Sequence, residues 1–436
     1  MNILKEVFRN EVFPAMGCTE PVAVALACSL ARYALSDGNS KHVEISRVRV
    51  TTDPGSFKNG IAVSIPNARG AKGSQVAAAL GAICGKPELK LEVLREVTDS
   101  DVDEAMQLLS SDCVQLAFDR SWDSLRIEAR VESGDEYGIA IIADGHTNVL
   151  ICRKGESEII DLSHIFGENN SAHYESFNVD YRNVLRKISF ADLIEVSRGI
   201  DESDRDYIEK GVAINMKISD AGREMKGVGS QFASLVKKGI LSDDIMTGIQ
   251  IVASSATDAR MAGVSLPVMS SGGSGNQGIV AILVPYCYGK RQCIDSRVIQ
   301  ESIALSHLIN SYVKCFLGKL SSSCGCAIAA GIGASAAIVY QEGGDIDMIG
   351  CAINSVVGDI AGIICDGAKS GCSLKVASAV RSSIRAALFA KDGFSIDSLD
   401  GIIGKTPEET IQNLWTVDMI GFQNIDDTIL KIMAGK

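Results

Sequence analysis

GCAIAAGIGASAAI, residues 325–338, and SLKVASAVRSSIRAALFA, residues 373–390, are the stretches from which the fold can be read. Both repeat their apolar positions at helical period, yet both are made largely of Gly, Ala and Ser. Glycine costs about 1 kcal/mol per helix position relative to alanine, so such segments predict helices packed closely enough to return the difference. Working outward, the 3.6-residue period recurs near 205–218, 224–238, 243–261, 296–316, 326–341, 346–364 and 373–391. Residues 181–436 therefore read as one helical domain.

Upstream the pattern changes. VEISRVRV (43–50), GIAVSI (60–65), CVQLAF (113–118), LRIEARVES (125–133) and YGIAII (137–142) are β-branched runs separated by turn residues, with one apolar helix near 74–84. They predict an inserted α/β domain over 41–180, left through the polar stretch Gly155–Asn178. Residues 1–40 read as helices broken at Pro14 and restarted at Thr19-Glu20-Pro21, packing with the helical domain. The expected class is α+β: a Gly/Ala-rich helical domain carrying a smaller inserted α/β domain.

Composition narrows the function. The chain has 436 residues, 46% of them apolar and 22% charged, with a net charge of −12 and no basic run. That balance argues against nucleic acid or an anionic membrane as partner. The longest weakly polar stretch, Cys326–Tyr340, is shorter than the roughly 18–20 residues of a bilayer helix. Charges inside the N-terminal segment argue against a signal peptide, so the expected location is cytoplasmic. Thirteen cysteines is an odd number, and a chain of this size needs no disulfide staples. Cys28, Cys84, Cys113, Cys152, Cys315 and Cys351, each in apolar or helical context, read as core thiols. Homo-oligomerisation is left open.

Cys18, Cys324, Cys326, Cys365 and Cys372 differ, because they sit in Gly-, Ser- or Asp-rich contexts typical of loops and helix ends. SSSCGC (321–326) and ICDGAKSGC (364–372) can project several thiols from loops at the ends of packed helices. C-G-C followed by C-x6-C fits structural zinc poorly, whereas loop thiolates suit an iron–sulfur cluster. MSSGGSGNQG (269–278) contains Gly273-x-Gly275-x-x-Gly278, but no βαβ alternation surrounds it. It reads better as exposed N–H groups suited to a small carboxylate than as a dinucleotide loop. Cys18, at a helix start, is a candidate nucleophile or base with a dipole-stabilised thiolate. Asp366 and Lys369 read either as substrate-orienting groups or as a turn cap. None of His42, His146, His164, His173 and His307 lies beside these motifs in sequence.

Taken in order, GCTEP (17–21), SSGGSGNQG (270–278), SCGCAIAAGIGAS (323–335) and GDIAGIICDGAKSGCSLK (358–375) resemble the L-cysteine desulfidase family, itself related to the α-chain of iron–sulfur-dependent L-serine dehydratases. The resemblance covers essentially the whole chain. It implies a pyridoxal-independent β-elimination of L-cysteine to hydrogen sulfide, ammonia and pyruvate, with a [4Fe-4S] cluster held by three cysteines. By motif, Cys365 and Cys372 are two ligands and Cys324 the third, with Cys326 the alternative to Cys324. Cys18 is the base the resemblance suggests, with Thr19, Glu20, Ser271, Ser274, Asn276 and Gln277 binding a small amino-acid substrate. Two alternatives stand beside it: an L-serine dehydratase using the same mechanism, and a non-catalytic iron–sulfur binding or sensing relative.

Overall fold

The computed structural model describes residues 2–36, 38, 43–157, 159–166, 179–317, 321–422 and 424–435. Much of the polar stretch read as an exit from the α/β part, and also His42 and His173, lie outside the described residues.

The chain is α+β, with two large hydrophobic cores. The first core gathers the helices Glu202–Arg223, Ile245–Met261, Gly275–Arg291, Ser296–Leu317, Ala329–Gln341, Ile346–Ile360 and Cys372–Lys391. Their small residues let backbones touch: a Cβ on Gly333 would lie 2.5 Å from the Ser306 carbonyl oxygen, so the helix pair around Ser306 and Gly333 needs glycine there.

Among the described residues, seven strands form two sheets: β1 (Pro14–Met16), β2 (Arg47–Thr52), β3 (Val114–Phe118), β4 (Arg126–Ser133), β5 (Glu136–Ala143), β6 (Val149–Lys154) and β7 (Pro267–Met269). Five of them make a sheet of order β3-β2-β4-β5-β6, parallel between β2 and β3 and antiparallel elsewhere. Alternation is clean in β4, where Ile127, Ala129 and Val131 are buried and their neighbours half-exposed. That face carries the second core.

Several expectations are corrected. GIAVSI forms no strand; Pro54–Gly60 is a helix N-capped by the Asp53 carboxylate, and the run ends in a single bridge, Ser64 to Lys72. The two N-terminal helices part company. Ile3–Glu11 buries Ile3, Leu4, Val7 and Phe8 in the helical core, whereas Thr19–Leu35 lies against the sheet and the helix Ser74–Cys84, not in the helical core. The reason is steric. Thr19–Leu35 is buried almost all round, and glycines clear its path: a Cβ on Gly81 would sit 2.2 Å from Ala25 O, and one on Gly138 1.9 Å from Ala31 O. Cys28, Cys152 and Cys315 are buried, but Cys84, Cys113 and Cys351 are only partly covered.

β1 and β7 pair antiparallel, Pro14 opposite Met269 and Met16 opposite Pro267. This two-stranded ribbon ties the segment leading into Cys18 to the helical part. No described helix is long and apolar enough to cross a membrane.

Candidate active site

Gly17 adopts φ +66°, and a Cβ there would lie 2.6 Å from the Pro66 ring, so glycine is required for the turn that delivers Cys18. Cys18 is the N-cap residue of Thr19–Leu35, but its side chain does not cap. Its Sγ instead donates to Glu20 Oε2 at 3.0 Å, while Thr19 Oγ1 donates to the same oxygen at 3.1 Å and Asn59 Nδ2 to Glu20 Oε1 at 3.0 Å. Burial, then the Glu20 carboxylate, push the Cys18 thiol well above its ordinary pKa. The expected resting thiolate is thus corrected to a thiol, because dipole stabilisation at the helix start is outweighed by desolvation and a neighbouring negative charge. For Glu20, burial works upward, yet His146, Cys18 and Arg260 together hold it below the usual carboxylate value.

The second component is the helix Gly275–Arg291, which begins inside the Gly-rich run read from sequence as a loop. Ser274 is its N-cap residue, and Asn276 and Gln277 occupy its first turn. Ser271 is turned elsewhere: its Oγ lies 2.8 Å from His307 Nδ1 and accepts from Asn310 Nδ2 at 2.9 Å. A histidine therefore does meet this motif, brought across 36 residues by the helix Ser296–Leu317. Burial drives the His307 pKa down to about 3, keeping the ring neutral.

The third component is a zipper between the two cysteine loops. Cys324 N donates to Ile363 O at 2.8 Å and Cys365 N to Ser322 O at 2.6 Å, with Ser323 bridging Ile364. These bonds bring SSSCGC and ICDGAKSGC side by side. Cys324 Sγ and Cys326 Sγ are 3.3 Å apart and share a hydrogen bond. That bond makes Cys324 the readier thiolate and pushes Cys326 up. Cys372 opens the helix Cys372–Lys391. Asp366 is not a free substrate group, because its carboxylate pairs with both Lys369 and Lys375.

All three components face one cavity of about 90 Å³. Its walls carry Cys18, Glu20, Ser274, Asn276 and Gln277. Cys324, Cys326, Cys365 and Cys372 contribute as well, but Thr19 and Ser271 do not. The sequence reading missed three lining cations, Lys58, Arg260 and Lys314; Lys375, which follows the second cysteine loop, lines the cavity as well. Lys58 donates to Cys365 O at 2.8 Å and pairs with Asp426. Burial brings Lys314 down to about 8. Glu20 is the one carboxylate among the described lining residues, with Asp426 and Asp366 pairing with Lys58 and Lys375 from outside the lining. The helix starts at Cys18, Ser274 and Cys372 add positive ends to the same cavity, which is thus built for anions.

The thiols also fit an iron–sulfur cluster. Loop cysteines converge on a cationic cavity, and no described group of three His, Cys, Asp or Glu side chains closes on a single ion. A cluster spreads its thiolates over several irons, so its ligands need not meet at one point.

The chain belongs to the serine dehydratase alpha chain family, whose profile matches residues 88–431. That membership supports lyase-type chemistry. Among full-length relatives, the UPF0597 protein of Elusimicrobium minutum is 44% identical over 100% of both chains. A UPF0597 protein of Geobacter sulfurreducens is 43% identical over 100% of this chain and 99% of its own. One of Desulforapulum autotrophicum is 37% identical over 99% and 97%.

Proposed function

We propose that the protein eliminates the β-substituent of a small L-amino acid, with L-cysteine as substrate and hydrogen sulfide, ammonia and pyruvate as products. The observation that carries this reading is the convergence of Cys18, the start of Gly275–Arg291 and four loop cysteines on one cationic cavity. Cys365, Cys372 and Cys324 would hold a [4Fe-4S] cluster, with Cys326 the alternative to Cys324. When bound, an iron without a protein ligand supplies Lewis acidity toward the leaving atom.

The chain's own residues handle the proton. The Cα–H pair becomes the Cα=Cβ bond, the Cβ–S pair leaves with sulfur, and the α-proton passes to Cys18 Sγ. Since Cys18 rests as a thiol, its proton must first move, and Glu20 Oε2 is the acceptor already in hydrogen-bond contact with it. Asn59 and Thr19 hold the Glu20 carboxylate in position for that transfer. The aminoacrylate released then tautomerises and hydrolyses to pyruvate and ammonia in water.

L-serine is the second reading, favoured by the family to which the chain belongs. The two separate on kcat/KM for pyruvate release, measured anaerobically on reconstituted protein. Cysteine preferred over serine supports the desulfidase reading, and serine preferred by a large factor replaces it with a serine dehydratase.

A further inference from the structure

Arg260 lies in the last turn of the helix Ile245–Met261, is 2% exposed and lines the cavity. Among the described residues, its Nε and Nη2 are both buried without a hydrogen-bond partner, and the Glu20 carboxylate acts on it through its charge. A buried guanidinium edge left in this state is costly, because nothing replaces the hydrogen bonds it makes to water. Nε and Nη2 form one edge of the guanidinium, the edge that grips a carboxylate through two parallel N–H···O bonds. Gly275 clears that edge, since a Cβ there would lie 2.4 Å from Arg260 Nε.

A complementary group stands nearby. Asn276 turns its amide nitrogen to Met261 Sδ at 3.7 Å, and a thioether can only accept, so the oxygen faces the other way. Among the described residues that Oδ1 is buried with no partner, as is Gln277 Oε1. The cavity thus holds an unpartnered pair of donors and two unpartnered acceptors. Glu20 is already engaged by Cys18, Thr19 and Asn59.

We propose that Arg260 binds the α-carboxylate of the substrate through Nε and Nη2, while Asn276 Oδ1 and Gln277 Oε1 receive its α-ammonium. The proposal rests on the amino-acid reading above and replaces Ser271 as a carboxylate donor. It makes the site selective for a free α-amino acid over the amide or an internal residue of a peptide.

The test uses the anaerobically reconstituted full chain and equilibrium binding at pH 7 of L-alanine, which has no leaving group, and of L-alaninamide, which has no carboxylate. The wild type is expected to bind L-alanine at least about tenfold more tightly, as charge-assisted bonds to a buried cation imply. Arg260→Gln should bring that ratio close to one, with iron content unchanged and the ligand-free melting temperature equal or higher. Arg260→Lys should keep part of the ratio, and Gly275→Ala, which crowds the edge, should lower it.

An unchanged ratio in Arg260→Gln overturns the proposal. So does loss of iron with the ratio intact, which would make Arg260 a counter-ion for the cluster, and so does failure of that variant to fold. The ratio is readable whether or not serine or cysteine is turned over, so failure of the lyase reading remains distinguishable.

Discussion

Cys18 Sγ donates to Glu20 Oε2 at 3.0 Å, a thiol and a carboxylate two residues apart at the start of one helix. The pair stores a proton where the proposed reaction needs a base. Cys18→Ala is expected to lower amino-acid turnover by about 100-fold or more, the usual scale of a positioned proton acceptor, while leaving iron content unchanged. Glu20→Gln should lower kcat comparably with little change in KM. Steady-state kinetics with iron analysis checks both, and full activity in Cys18→Ala would remove it from the mechanism.

The zipped cysteine loops make a second expectation. Cys365→Ser and Cys372→Ser should each lose most of the iron taken up on reconstitution. Cys324→Ser should do the same, whereas Cys326→Ser should retain it, because the hydrogen bond the two share favours the Cys324 thiolate. Iron retained by Cys324→Ser but lost by Cys326→Ser would exchange their roles.

Much of this site is legible in the amino-acid sequence. The cysteine motifs and the Gly-rich run announce themselves because loops and helix starts have distinctive local composition. Arg260 does not, since it sits in ATDARMAG at the end of an ordinary-looking helix and becomes notable only when burial leaves its edge unpartnered. Lys58, Lys314 and His307 are hidden for the same reason: tertiary packing, not spacing, brings them to the cavity and to Ser271. The helix Gly275–Arg291 escapes because Gly at its start and Pro285 within it mimic a loop. β1 and β7, three residues each, are too short for a period of two to register. Thr19–Leu35 is recognisable as a helix, but being buried almost all round it gives no direction, and the close approach of Gly138 to Ala31 O is what seats it on the sheet.

His307 should make stability depend on acid. Burial lowers its folded pKa to about 3, against about 6.5 when unfolded, so the unfolded chain binds an extra proton between those values. Its contribution is complete above pH 6.5 and is lost as pH falls toward 3, by roughly 3 kcal/mol at pH 4. Urea unfolding at pH 4, 5 and 7 should show a shallower fall in His307→Asn than in the wild type. Equal slopes would mean that the ring titrates near its ordinary value.

The seat of Thr19–Leu35 on the sheet can be tested separately. Gly138→Ala places a methyl group against Ala31 O and should destabilise the protein by about 1–3 kcal/mol. Gly362→Ala, where an added Cβ meets nothing within 4 Å, is the control and should be near neutral. Denaturant midpoints measure both, and equal stability of the two variants would contradict the close approach.

The elimination proposed for this cavity depends on the loop cysteines holding a cluster. The decisive experiment is anaerobic reconstitution followed by iron and sulfide counting, and then by pyruvate assay with L-cysteine and L-serine on the same sample. About four irons and four sulfides per chain are expected, as a [4Fe-4S] cluster requires, together with pyruvate from at least one of the two amino acids. Full-length folded protein that takes up no iron and releases no pyruvate would refute both the cluster and the elimination.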